Sequence, residues 1–230
     1  MNPDRVSASF WAAFLRNRNV DAGTSADGAI PVAGGYAIYI AGTHLNHALA
    51  AGTTRPLRED DLAVVEEFYG ARGCPARFEL DETALARDGD LLRGRGYADE
   101  DVTLAMLEGP VGTGTGAPRN GGVAVRTTSD RRAWSALATR AFADTVDDVE
   151  LLRRTLVTEA AAAHVLTIAS LDGTDAGASA MSTDGDLAVL FGAAVLPAFR
   201  GKGVHAAMVA GRLAVAHARG ATRAAVKTRP

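Results

Sequence analysis

The segment with the clearest chemical content is residues 190–208, LFGAAVLPAFRGKGVHAAM. An apolar strand ends at Val195, Pro197 breaks it, and a glycine-rich stretch leads into a helix. That order makes an anion site. The first N–H groups of a helix have no intrahelical partner, and the helix dipole adds partial positive charge there. Gly201 and Gly203 let a ligand approach the backbone without a Cβ in the way. Arg200 and Lys202 add full charges, so residues 200–205 read as a pyrophosphate cradle. Two other phosphate loops fail. A Walker-type loop needs Ser or Thr after its Lys, and Lys202 is followed by Gly203. A dinucleotide fingerprint over Gly201, Gly203 and Ala206 needs an acidic residue about 20 positions on to bind ribose. No Asp or Glu follows Asp186.

Other reactive residue types carry less. Cys74 is the one cysteine, which rules out an internal disulfide and a multi-Cys metal site, and it reads as a small buried apolar residue. His44 and His47 have the i, i+3 spacing of a helical metal pair, but no third ligand stands at suitable spacing. No metal is therefore expected. The GTGTG within residues 109–122 is not framed by a strand and a helix, and reads as linker.

These residues need elements to hold them. Before the Gly-rich stretch, the pattern predicts one or two strands over 30–41 and a helix over 58–71 with Leu62, Val65, Phe68 and Tyr69 on one face. A short strand over 75–80, a short helix over 90–96 and a strand over 102–107 follow. After it come a strand over 123–127, then a helix capped by Ser129 or Asp130 and carrying Trp134, Leu137, Ala138 and Phe142. A second helix opens at Asp147 and Asp148 and runs to about 162. Strands over 164–171, 176–182 and 187–196 are joined by the turn sequences DGTDAG and TDGD. A helix over 203–219 and a strand over 222–228 complete the order. The fold class is α/β, a mixed, mostly antiparallel sheet flanked by helices, in two units: 1–108 and 123–230, with 109–122 as linker.

The segment from Arg200 resembles the coenzyme A-binding motif of the GNAT acetyltransferase superfamily, [R/Q]-x-x-G-x-[G/A]. Arg200 matches the first position and Gly203 the fourth, while His205 stands at the sixth, where Gly or Ala is usual. The order of elements over 123–230 agrees. The resemblance implies an N-acetyltransferase that moves an acetyl group from acetyl-CoA to an amine by direct attack. It implies that the backbone of Ala193, Ala194 and Val195 pairs with the pantetheine arm, that Arg200, Gly201, Lys202, Gly203, Val204 and His205 hold the pyrophosphate, and that Val195 contacts the thioester carbonyl. A bulge in that strand opens the cleft, and Gly192, an isolated Gly in an apolar strand, is its natural place. Asp186 and Glu159 are the carboxylates weighed as base, with neither assigned. A small-molecule or peptide amine is the implied acceptor, with a homodimer left open. The alternative is a non-catalytic module that holds CoA or scaffolds a partner.

The family pattern normally continues past the fifth strand with a turn, a Tyr-bearing helix and two more strands, so a shortened second unit is expected, with an exposed final strand. Residues 62–107 resemble the later half of such a domain, with Arg95-Gly96-Tyr97 where R-L-G-F would stand. The first unit thus reads as degenerate GNAT-like, and one half can complete the other.

Composition sets the frame. The chain has 230 residues, 47% hydrophobic and 22% charged, with net charge −3, which argues against coating nucleic acid. Residues 1–118 hold ten Arg, no Lys and seventeen acids, whereas residues 119–230 hold fourteen Lys and Arg against ten acids. The positive excess lies with the cradle. No apolar run approaches the about 20 residues of a membrane span, and no signal peptide is visible, so a cytoplasmic protein is expected.

Overall fold

The computed structural model describes residues 2–22, 27–100, 105–111 and 122–228, in two units, Met1–Thr103 and Leu104–Pro230.

In the first unit, helix α1 (Pro3–Ala22) precedes a hairpin of β1 (Gly28–Val32) and β2 (Gly35–Tyr39). Val6, Trp11, Ala12 and Leu15 of α1 are buried, a helix not foreseen from the pattern. Strand β3 (Ala48–Leu49) leads through a loop to α2 (Glu59–Gly70), and β4 (Phe78–Glu79) returns parallel to β3. Leu62, Val65, Phe68 and Tyr69 bury the expected face of α2. Helix α3 (Glu82–Gly94) begins earlier than expected because Asp81 caps it, accepting a hydrogen bond from the Ala84 N–H. Gly96 then turns the chain with φ +94°, and Tyr97 packs edge-on to Phe78.

The second unit is a six-stranded sheet in the order β5-β10-β9-β8-β7-β6. The strands are β5 (Ala105–Pro110), β6 (Val123–Thr128), β7 (Val165–Leu171), β8 (Thr174–Asp184), β9 (Leu187–Val195) and β10 (Arg223–Thr228). Helices α4 (Arg131–Phe142) and α5 (Val149–Ala162) pack on one face through Trp134, Leu137, Leu152, Leu156 and Ile168. Helix α6 (Val204–Ala218) packs on the other through Val204 and Met208. Asp130 and Asp148 cap α4 and α5 by accepting from the N–H groups of Ala133 and Leu151.

Two expectations change here. The division falls before the Gly-rich stretch, because residues 105–110 pair antiparallel with β10, from Arg223 opposite Pro110 to Thr228 opposite Ala105. The strand expected to close the first unit is thus part of the second sheet. β10 is also not an exposed edge, since it lies between β9, to which it is parallel, and β5. Residues 112–121, which hold the GTGTG expected as linker, lie outside the described residues.

Candidate functional site

The site is built where β9 parts from β10. The two strands run parallel in register from Leu187 opposite Arg223 to Leu190 opposite Val226, and the pairing stops there. At that point β9 bulges. Ala178 faces Ala194 and Ala180 faces Phe191, so Gly192 and Ala193 together oppose Ser179. Gly192 has φ +58°, a left-handed value that costs a residue with a Cβ, and it is the expected bulge residue. Three side chains fix this corner. Trp134, fully buried, donates from Nε1 to the Ser179 carbonyl at 3.0 Å. Arg212, at 1% exposure, donates from Nη1 to the carbonyls of Ala180 and Phe191, the pair beside the bulge, and from Nε to that of Met208. Burial draws Arg212 down to about 10. Glu159 is the third. Its Oε2 is sealed from solvent without a hydrogen-bond partner and would lie 3.0 Å from a Cβ built on Gly192.

Past the bulge, the Leu196 N–H donates to the Ala176 carbonyl of β8 at 2.9 Å. Main-chain groups alternate along a strand. Leu196 and Ala194 therefore turn theirs to β8, and Val195 turns its own to the edge that β10 has left. Ala194 is thus not free to pair with a ligand as expected, whereas Val195 faces the cleft. Ala193 lies within the bulge, half-buried.

The chain then turns through a single 3-10 turn (Pro197–Phe199) into the loop. Gly201 and Gly203 have φ +74° and +79°, and a Cβ at Gly201 would meet nothing within 4 Å. Gly203 is the N-cap of α6, no side chain caps it, and the first turn carries no acid. Lys202 is exposed, with Nζ 5.5 Å from the Phe199 ring centre. Val204 is buried in the core under α6, which leaves only its main chain to the loop, and His205 is exposed.

Arg200 departs from expectation. Its guanidinium does not extend from the loop as a free charge. It bonds both carboxylate oxygens of Asp144 at 2.6 and 2.7 Å, the Ala141 carbonyl at 3.0 Å and, through Nε, the Val195 carbonyl at 3.1 Å. The side chain ties the loop to the end of α4 and β9. The positive field of the cradle therefore comes from the helix N-terminus and Lys202.

The two carboxylates weighed as base separate. Asp186 sits before the start of β9, at the far end from the bulge, and accepts from Arg223 and Thr222. Those bonds hold it below the usual carboxylate range. Glu159 stands at the bulge, and burial pushes it up to about 7. Sequence reasoning missed Arg212, although a lone charge within the apolar run AAMVAGRLAVA was a signal. In the first unit, Cys74 is partly buried against the core. His44 and His47 lie in irregular chain between β2 and β3, not on a helix, and no cluster of three metal-binding side chains occurs among the described residues. No described helix is long and apolar enough to cross a membrane.

No protein-family model and no curated protein matches the sequence. Solved structures do match. The GCN5-related N-acetyltransferase of Kribbella flavida aligns over 99% of this chain and 86% of its own, at 17% identity and a TM-score of 0.63. The GCN5-related N-acetyltransferase of Sphaerobacter thermophilus aligns over 74% of this chain, at 17% identity and a TM-score of 0.56, and only 58% of that protein is spanned. A functionally unknown conserved protein of Staphylococcus epidermidis aligns over 74% of this chain and 68% of its own, at 12% identity and a TM-score of 0.51. The mixed sheet, the bulged and splayed β9 and the Gly-rich entry to α6 belong to one class of fold. It is the fold of the GCN5-related N-acetyltransferases.

Proposed function

We propose that the second unit is a cytoplasmic acetyl-CoA-dependent N-acetyltransferase acting on a small-molecule or peptide amine. The observation that carries the reading is the splay of β9 from β10 beyond Leu190, with a bulge at its root and an uncapped helix N-terminus at its mouth. The residues fit acetyl-CoA. The Val195 N–H at the splayed edge suits a carbonyl of the amide-bearing pantetheine arm, while the Val195 carbonyl accepts from Arg200. The open backbone at Gly201 and the left-handed Gly203, with Lys202 between them, suit the pyrophosphate. Bound there, acetyl-CoA supplies a thioester whose carbonyl is polarised by main-chain N–H groups of β9. The chain's own part is to orient the two reactants at the bulge and to take a proton from the amine.

We also propose that the first unit is a degenerate copy of the same design. Its β3–α2–β4 crossover repeats the parallel strand, loop, helix and strand of β9–α6–β10.

Calorimetry with acetyl-CoA and CoA, followed by thiol release with a panel of primary amines, tests the enzyme reading. Saturable acetyl-CoA binding with amine-dependent release is the expected result. Binding without release in any amine supports the CoA-holding module instead, and absence of binding removes both.

A further inference from the structure

We propose that Glu159 is the group that accepts the proton from the incoming ammonium, at the bulge formed by Gly192, in the acetyl transfer inferred above. Three observations place it there. Its Oε2 has no hydrogen-bond partner and no contact with solvent, an arrangement that costs free energy and that packing alone does not require. It would lie 3.0 Å from a Cβ built on Gly192, the residue at the bulge where β9 turns away from β10. Glu159 as a whole is half-buried rather than enclosed, although Oε2 itself is covered.

The charged groups around it leave it unpaired. On α4, Arg131 is committed to the Ala160 carbonyl at 3.1 Å. On α5, Arg153 bonds Glu150, and Arg154 is exposed. No residue of β9 is charged. From α6, Arg212 is spent on main-chain carbonyls. Burial is accordingly the one influence that shifts Glu159. A carboxyl shifted to about 7 is a carboxylate at slightly alkaline pH and a competent acceptor for an ammonium proton.

A proton passes from the ammonium nitrogen to Oε2 of Glu159. The freed lone pair forms a C–N bond to the thioester carbonyl carbon, and the C–S bond breaks with its electron pair going to sulfur. The new C–N bond makes the remaining nitrogen proton acidic; that second proton goes to the thiolate, so that a neutral amide and a thiol leave, and Glu159 releases its own proton once the products have departed. Glu159 touches the substrate and is in this sense catalytic, whereas Trp134 and Arg212 are positioning residues.

The test compares the parent with Glu159→Gln and Glu159→Asp in the full chain. The amine panel is spermidine, n-octylamine, a lysine peptide and a peptide with a free N-terminus. Acetyl-CoA affinity by calorimetry is expected to stay within about twofold, while kcat/KM at pH 7 falls by roughly 100-fold or more in Glu159→Gln and less in Glu159→Asp. The deficit in Glu159→Gln should shrink as pH approaches the amine's own pKa, because solvent then removes the proton, a rescue that a merely structural role would not produce. Stability against pH gives a readout independent of turnover. A carboxyl that is higher in the folded state than its ordinary 4.5 stabilises the fold when protonated. The parent should therefore lose stability as pH rises from about 4.5 to about 7, and Glu159→Gln should lack that slope. Unchanged kcat/KM in Glu159→Gln, with acetyl-CoA bound and amine acetylated, overturns the assignment and leaves the acetyltransferase reading standing. A parent that binds acetyl-CoA but acetylates no amine of the panel overturns the assignment and leaves only the binding reading. A parent that binds no acetyl-CoA overturns both.

Discussion

Each unit holds one parallel strand–helix–strand crossover, and the two helices open with opposite electrostatics. In β9–α6–β10 the helix opens at Gly203 with no side-chain cap and no acid in its first turn. In β3–α2–β4 the helix opens with Glu59, Asp60 and Asp61. Asp61 accepts from the Arg58 N–H at 2.9 Å and holds Arg55 in a two-point bond at 2.6 and 2.7 Å. An acid in the first turn satisfies the helix dipole from within the chain. The α2 N-terminus is thus filled by its own sequence, while that of α6 has neither a side-chain cap nor an acid. Each helix also sends one polar side chain into its sheet. Tyr69 of α2 accepts from the Ile38 N–H and donates to the Ile38 carbonyl, which closes a regular strand. Arg212 of α6 spans the carbonyls of Ala180 and Phe191 beside a bulge. The same topology is therefore closed by side chains in one unit and left uncapped in the other, a difference carried by a few residues and not by the fold.

The contrast breaks most completely at the loop. Gly203→Glu places a carboxylate and a strained left-handed residue where the pyrophosphate would lie, and acetyl-CoA binding should fall below detection in calorimetry. Changing the exposed Glu59 and Asp60 of α2 to Gln and Asn should leave that affinity unchanged. Equal losses from both sets of changes would mean that the two helix ends do not differ in role.

The next effect is on stability. Arg212→Met removes the donor to the carbonyls of Ala180, Phe191 and Met208, and leaving the buried ones unsatisfied costs about 3 kcal/mol. A urea midpoint shift of that size, without a change in slope, is the expected result. Arg212→Lys should recover only part of it, because an ammonium lacks the planar fork that reaches these carbonyls. Asp61→Ala, at the filled helix end, should cost about 1 kcal/mol and leave acetyl-CoA affinity unchanged.

What the sequence revealed follows the range of the interaction. The bulge at Gly192 was legible because a glycine inside an apolar strand has a local cause, and the loop was legible because its glycines and basic residues are neighbours. The helix boundaries set by Asp130 and Asp148 were legible for the same reason, although the Asp81 cap of α3 went unread. The place of residues 105–110 was not, since their hydrogen-bond partners lie more than a hundred positions away and a short strand carries no mark of its sheet. The pairing of Arg200 went unread on the same ground. A basic residue beside a phosphate loop has an obvious local reading, but its partner Asp144 is 56 positions distant. Glu159 sits on an ordinary-looking helix face, and only the approach of Gly192, thirty-three positions on, to its Oε2 sets it apart.

The Arg200–Asp144 pair offers the finest division between the two crossovers. If Arg200 acts by tying the loop to α4 and not by meeting a phosphate, Asp144→Asn should weaken acetyl-CoA binding about as much as Arg200→Gln does, by a few-fold in each case. Both members are about 40% exposed, so the tie itself is weak and salt-sensitive. A residue that met the phosphate directly would behave differently, because removing its own partner would free it, and Asp144→Asn would leave binding unchanged or tighten it. The pH dependence carries the same logic. The hydrogen bonds from Arg200 hold Asp144 below its ordinary 3.8, so the tie is fully present above that pH and is lost as pH falls through the lowered value. Acetyl-CoA affinity, followed between pH 5 and 8, should therefore show no step that Asp144→Asn removes. Any such step belongs to another group, and tightening in Asp144→Asn would return Arg200 to the phosphate.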